Sequence, residues 1–195
     1  DYVIEADDHG VPQSRHRVIL FGIRSDVAEA TPALLEHPEG FLLAKLKKKV
    51  GVSAALAGLP PLRSRLSKEP DSQEAWMKAL REAPQTLKGW RVPLRNVIEA
   101  AMEKFIKRAE KQNTVGSTFI PMEVVPGEAM PKDLRDWYLD TKVGGVLQHE
   151  TRSHMRSDLH RYMFAACFSA TQKYAPNLGN FPPKLLPDHV NVDDE

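Results

Sequence analysis

The chain has 195 residues, 42% apolar and 27% charged, with a net charge of +1. This is an ordinary globular composition, long enough for one good-sized domain or for part of a catalytic domain with a smaller one beside it. It excludes a polycation throughout, a membrane span (the longest apolar run is Tyr162 to Phe168), and, with Cys167 as the single cysteine, any internal disulfide or multi-cysteine zinc site.

Tyr2 to Glu5 and Arg17 to Arg24 read as two strands joined by the Gly10 to Ser14 loop, where Pro12 blocks continuation of the first. They have the character of the trailing edge of a larger sheet. The loop carries Gln13, Arg15 and Arg17. Residues two apart in an extended chain project to one side, so Arg15 and Arg17 offer one surface two permanent, planar donors, suited to a phosphate or to the acceptor edge of a base. From Asp26 to Lys49 the pattern is punctuated by Pro32, His37, Pro38 and Gly40, and Phe41 to Val50 is compatible with a short helix ending in Lys47, Lys48 and Lys49. That run reads as a polar face or as lysines following a phosphate backbone. Ser53 to Gly58 predicts a short helix with a serine cap and a glycine stop, closed by Pro60 and Pro61.

Arg63 to Pro70 is polar and charged, the composition of a mobile linker. Asp71 with Glu74 three residues on predicts a capping-box start for a helix over 72–83 that buries Trp76 and Leu80. From Pro93 to Lys111 the residues Leu94, Val97, Ile98, Ala101, Met102, Phe105, Ile106 and Ala109 form an amphipathic stripe on a helix about 28 Å long. Thr118 to Val125 predicts an extended segment, Pro131 to Leu139 a short helix, 157–173 a helix opened by Ser157 and Asp158, and Asn177 to Pro187 a proline-rich loop. Few strands and several long helices give an α+β fold class.

Charge is uneven along the chain. Lys plus Arg against Asp plus Glu is 7 to 8 over residues 1–50, 12 to 7 over 51–111 and 8 to 11 over 112–195, so a DNA-binding surface would be local. His149, Arg152, His154, Arg156, His160 and Arg161 gather phosphate donors within a short stretch, with an ion-pair network to Glu150 and Asp158 as the competing reading. A zinc-protease reading of His149 and His154 fails, because a spacing of five puts them about 140° apart on a helix. Trp76, Trp90 and Trp137 stand near apolar helical positions where burial is the commoner fate than base stacking. Cys167, within Phe164 to Phe168, is a packing residue in a chain expected in a reducing cytoplasm.

The segment Ala6, Asp7, Asp8, His9, Gly10, Val11, Pro12, Gln13, Ser14, Arg15, His16, Arg17 and Val18 to Gly22 closely resembles the Gln-x-Arg-x-Arg segment of DNA cytosine-5 methyltransferases. His9 stands where that family usually has Tyr or Phe. Gly58 to Leu62, as Gly-Leu-Pro-Pro-Leu, and the His149, Glu150, Arg152 stretch are similar to further features of the family. The resemblance implies an enzyme that flips the target base from the duplex, attacks carbon 6 of cytosine with a cysteine thiolate and passes a methyl group from S-adenosylmethionine to carbon 5. It implies that Arg17 donates to O2 of the flipped cytosine, Arg15 orders the site and the nearby phosphate, and Gln13 organises the loop.

It implies as well that residues 1–25 are the last part of a catalytic core and 26–195 a target-recognition region with a linker at 63–70. Within that region His149, Arg152, His154, Arg156, Lys47, Lys48 and Lys49 are the candidate contacts to double-stranded DNA. No Phe-x-Gly-x-Gly cofactor loop, Pro-Cys-Gln nucleophile segment or Glu-Asn-Val segment is present, and Arg95, Asn96 and Val97 only imitate the last. The chain, which begins at Asp1 and ends at Glu195, is therefore expected to be an internal slice of a bacterial, restriction-modification type enzyme. On this reading it is inactive alone, partnered by the remainder of its chain, free of metal and membrane, and dependent on the rest of the enzyme for S-adenosylmethionine. A tRNA cytosine-5 methyltransferase fragment and a helical protein-interaction module are the alternatives.

Overall fold

A computed structural model describes residues 2–20, 22–33, 44–123, 125 and 130–187. In chain order the elements are β1 (Tyr2–Glu5), β2 (His16–Ile19), α1 (Ser25–Ala30), α2 (Val52–Leu56), β3 (Arg65–Leu66), α3 (Gln73–Glu82), α4 (Arg95–Ala109), β4 (Gly116–Pro121), α5 (Lys132–Tyr138), β5 (Gly145–Glu150), β6 (Ser153–His154) and α6 (Arg156–Gln172). The described strands form three two-stranded ribbons, β1 with β2, β3 with β6, and β4 with β5, so the fold is α+β. Two compact units emerge: residues 1–59 with 121–146, and residues 60–120 with 147–195. The first extends past the sequence boundary expected near residue 25.

In the first unit β1 and β2 pair antiparallel with Val3 opposite Val18, Ile4 opposite Arg17 and Glu5 opposite His16. A 3₁₀ turn over Ala6–His9 ends at Gly10, whose φ of 83° lies in the left-handed region that a side chain rarely enters. The helix considered over 41–50 is not formed across 44–50. There the Leu46 N–H donates to the Asp8 carbonyl at 2.7 Å, and the side chains of Lys45 and Lys49 bond back to the turn, so tertiary pairing overrides local propensity. In α2 the cap position falls to Gly51 rather than Ser53, with no side-chain cap bond.

The second unit is built on helices. The stripe on α4 buries Ile98, Met102 and Ala109, with Leu94, Ala101, Phe105 and Ile106 packed beside them, while Val97 remains exposed. This face meets Trp76, Met77, Ala79 and Leu80 of α3 and Leu159, Met163, Phe164, Cys167 and Phe168 of α6 in one apolar core. Phe164 lies at its centre, its ring 4.8 Å from Phe181, 5.6 Å from Trp90 and 5.8 Å from Phe168. Trp76 is thereby a core residue and Trp90, partly buried, packs against that core, in line with their apolar spacing.

The segment 63–70 is not a mobile linker. Arg63 is only 7% exposed, its guanidinium grips both carboxylate oxygens of Asp71 at 2.8 and 3.1 Å, and β3 pairs parallel with β6. Because Asp71 is committed to Arg63 and to the Leu66 N–H at 3.0 Å, the cap of α3 passes to Ser72, whose Oγ accepts from the Ala75 N–H at 3.1 Å. Ser72→Ala is expected to lower unfolding stability by about 1 kcal/mol.

The Arg63 guanidinium holds the Asp71 carboxyl below the usual carboxylate range. A depressed folded pKa means the contribution is present above the unfolded value of about 3.9 and is lost as pH falls through the folded one. Urea unfolding of the unmodified protein and Asp71→Asn should therefore differ at pH 6 and converge towards pH 3.

Candidate nucleic-acid site

The arginine segment is fixed by backbone before any side chain acts. The Ala6 N–H donates to the Arg15 carbonyl at 3.0 Å, which carries the ribbon's pairing one residue beyond the start of β2. Arg15, His16 and Arg17 therefore continue the alternation of an extended strand, with both arginines on the face opposite His16. The loop before them is tied by Val11 N–H to the Ala6 carbonyl at 3.2 Å and by Gln13 N–H to the Val11 carbonyl at 2.7 Å. Gln13, Arg15 and Arg17 are all exposed. Arg17 Nη1 donates to the His16 carbonyl at 2.6 Å, and no other side-chain bond of either arginine occurs among the described residues. The structure thus brings two permanent cations to one side of a braced strand with nearly all of their donors open.

The face carrying His16 is apolar where Val3 and Val18 meet. Directly opposed across the ribbon, they are 69% and 65% exposed. Leu20 is exposed as well.

Of the three lysines expected to follow a phosphate backbone, Lys47 and Lys48 are exposed, whereas Lys49 is held at 2.8 Å by Asp7 and 2.9 Å by Asp8. Lys45 adds a bond to Asp8 at 2.8 Å. These bonds from Lys45 and Lys49 bring the Asp8 carboxyl down to about 2, and those from Asp7 and Asp8 raise the Lys49 ammonium. Glu5, Asp7 and Asp8 place carboxylate oxygens within 4.8 Å of one another, but two of the three are engaged by ammonium groups rather than left open to a cation.

The His149 to Arg161 stretch divides in the same way. His149 Nε2 bonds to the Pro60 carbonyl at 2.9 Å, and Gly116 lies so close that a Cβ there would stand 2.0 Å from the His149 carbonyl oxygen. Arg156 spans Glu69, at 2.6 and 2.7 Å, and Glu82 at 2.8 Å, and those two carboxylates raise its guanidinium further still. His160 meets the Ala79 carbonyl at 2.8 Å, where burial makes its imidazole harder to protonate. Arg161 bonds to Asp158 and to the carbonyls of Leu185 and Leu186. The stretch is largely an internal network, with partners the sequence reading did not name for Arg156 because they lie 87 and 74 residues away. Arg152 remains exposed, and His154 lies edge-on to the exposed Tyr162 ring at 5.2 Å.

Cys167 is buried on α6, and burial pushes its thiol up to about 11. A nucleophilic cysteine needs an accessible thiolate, so this residue is packing. Trp137, in contrast to the other two tryptophans, is 77% exposed. Among the described residues no helix is long and apolar enough to cross a membrane.

The sequence profile described as C-5 cytosine-specific DNA methylase matches residues 2–158, a span that includes the arginine segment and reaches the start of α6. No curated protein and no solved structure matches the chain. Carried by that match over most of its length, the chain belongs to the C-5 cytosine-specific DNA methylase family, transferases that methylate cytosine in DNA.

Proposed function

We propose that this chain supplies the arginine pair of the flipped-cytosine pocket in an S-adenosylmethionine-dependent DNA cytosine-5 methyltransferase, and that residues from about 26 onward choose the DNA sequence. The observation that carries the proposal is the braced Gln13, Arg15, Arg17 strand, with two exposed guanidiniums on one face.

In the reaction a thiolate adds to carbon 6, and the electron pair released into the ring makes carbon 5 nucleophilic while raising negative charge on O2. Carbon 5 takes the methyl group as its bond to the sulfonium sulfur breaks and leaves a neutral thioether, after which a base takes the carbon 5 proton and the thiolate departs, restoring the C5–C6 double bond. Arg17, as a fixed cation at O2, stabilises the charged ring more than the neutral one, which lowers the barrier rather than only tightening binding. Arg15 holds the adjacent phosphate and the orientation of the strand, and Gln13 shapes the loop.

S-adenosylmethionine supplies an electrophilic methyl on sulfur. The described residues contain no glycine-rich strand-to-helix turn to hold it, and Cys167 is unfit as the nucleophile, so both belong to the remainder of the enzyme. The uncovered Val3 and Val18 pair supports that partnership, because a two-stranded ribbon with exposed apolar residues gains stability when further strands or a helix cover it. The purified chain alone is expected to methylate nothing, and methyl incorporation by it would overturn this division of labour.

For sequence choice, Arg152, His154, Lys47 and Lys48 retain donors on the surface, whereas His149, Arg156 and Lys49 act by bracing the surfaces on which the others stand. The enzyme is bacterial in type, of the restriction-modification kind, and acts at the DNA. The test offers duplex DNA and tRNA in parallel to the full-length enzyme with radiolabelled S-adenosylmethionine. Label in DNA is expected, and label confined to tRNA would replace this reading with the RNA-directed one.

A further inference from the structure

Lys104, Lys107, Arg108 and Lys111 recur at spacings of three and four along the second half of α4 and just beyond it. They occupy a band about 100° wide, roughly opposite the buried Ile98, Met102 and Ala109. All four are exposed, and none forms an ion pair among the described residues. Of the acidic residues on and just past the helix, Glu99 is turned to Arg95 at 3.6 Å and Glu110 is taken by Arg81 at 3.0 Å, while the exposed Glu103 borders the band beside Lys107 without forming an ion pair among the described residues.

Favourable interaction with the helix C-terminus explains Lys107 and Arg108 in the last turn, but not Lys104 a turn earlier. Within the band the cations repel one another, offset only at Lys107 by Glu103 four residues before it. Lys104 with Arg108 and Lys107 with Lys111 are like charges four apart, and Lys104 with Lys107 and Arg108 with Lys111 are like charges three apart, each unfavourable on a helix. A polyanion laid along the band relieves all four repulsions together.

From this we infer that the exposed face of α4 is a second DNA contact, which follows the phosphate backbone of the duplex without reading bases. The inference rests on the reading of the enzyme as DNA-directed. The four cations cover about 10 Å of helix length, against a duplex that offers one phosphate charge per about 1.7 Å of its axis. The complement is electrostatic and sequence-independent, so this face adds affinity and register rather than specificity.

The test is carried out in the full-length enzyme with K104Q/K107Q/R108Q/K111Q and, separately, Lys104→Gln. Equilibrium binding is measured on a duplex the enzyme methylates and on an unrelated duplex across about 50 to 200 mM salt. The slope of log affinity against log salt should fall by about 0.9 for Lys104→Gln and by about 3.6 for the quadruple variant. Over that range the unmodified enzyme would lose ~100-fold more affinity than the quadruple variant. Both duplexes should respond equally, and kcat at saturating DNA should be unchanged.

Unchanged slopes in both variants, with duplex DNA still methylated by the unmodified enzyme, overturn the phosphate contact and leave the DNA reading intact. A reduced slope together with no methylation of DNA keeps the contact and sinks the enzymatic reading.

Discussion

Arg17→Ala in the full-length enzyme is expected to lower methyl transfer by about 10² to 10³-fold, the effect typical of removing one donor from a site where charge develops. The loss should fall on kcat. Arg17 stands opposite Ile4 in a paired strand, so truncating its side chain leaves the ribbon's backbone bonds in place and the pocket's shape largely unaltered. Its present bond, to the neighbouring His16 carbonyl, is local and exposed, so the variant should unfold at nearly the same temperature. Arg17→Lys should recover only part of the rate, because an ammonium keeps the charge but not the planar pair of donors. Steady-state kinetics on duplex DNA, with the melting temperature as the control, separate this from a folding defect. A variant with unaltered kcat would remove Arg17 from the chemistry.

The largest stability effect should come from Phe164→Ala, at about 3–5 kcal/mol. Phe164 has no exposure and touches aromatic rings from three directions, Trp90 before α4, Phe168 one turn along α6, and Phe181 beyond it. Removing the ring leaves a cavity that three rigid rings cannot collapse to fill. Phe164→Leu, which restores much of the volume, should cost appreciably less. Urea unfolding of both variants measures the difference, and equal losses would mean that aromatic packing is not what this core depends on.

The parts of the fold legible in the sequence are those set by local periodicity. Ile98, Met102 and Ala109 repeat at helical spacing and face the core, and Trp76 and Leu80 do the same on α3. What the sequence concealed is pairing between distant residues. Arg63 to Pro70 reads as linker because its charges look solvated, yet Arg63 is taken by Asp71 and Glu69 by Arg156. Asp71 has the right identity for a cap, but its carboxylate is already spent on Arg63, so the next residue takes that role. Lys45 and Lys49 leave no helix across 44–50 because their partners, Asp8 and Asp7, lie in the turn before β2.

The candidate site divides along the same line. The placing of Arg15 and Arg17 on one face was legible because motif and strand are contiguous, whereas Gln13 lies in the bend before the strand. The cluster from His149 to Arg161 was visible only as composition. Composition does not distinguish Arg156, between two carboxylates, from Arg152, exposed on the surface.

The most direct test of the central claim is to incubate the full-length enzyme with duplex DNA and labelled S-adenosylmethionine, hydrolyse the DNA and identify the labelled base. The account predicts that the label is in 5-methylcytosine and is nearly abolished by Arg17→Ala. Label in another base, in RNA alone, or undiminished in the variant would contradict it.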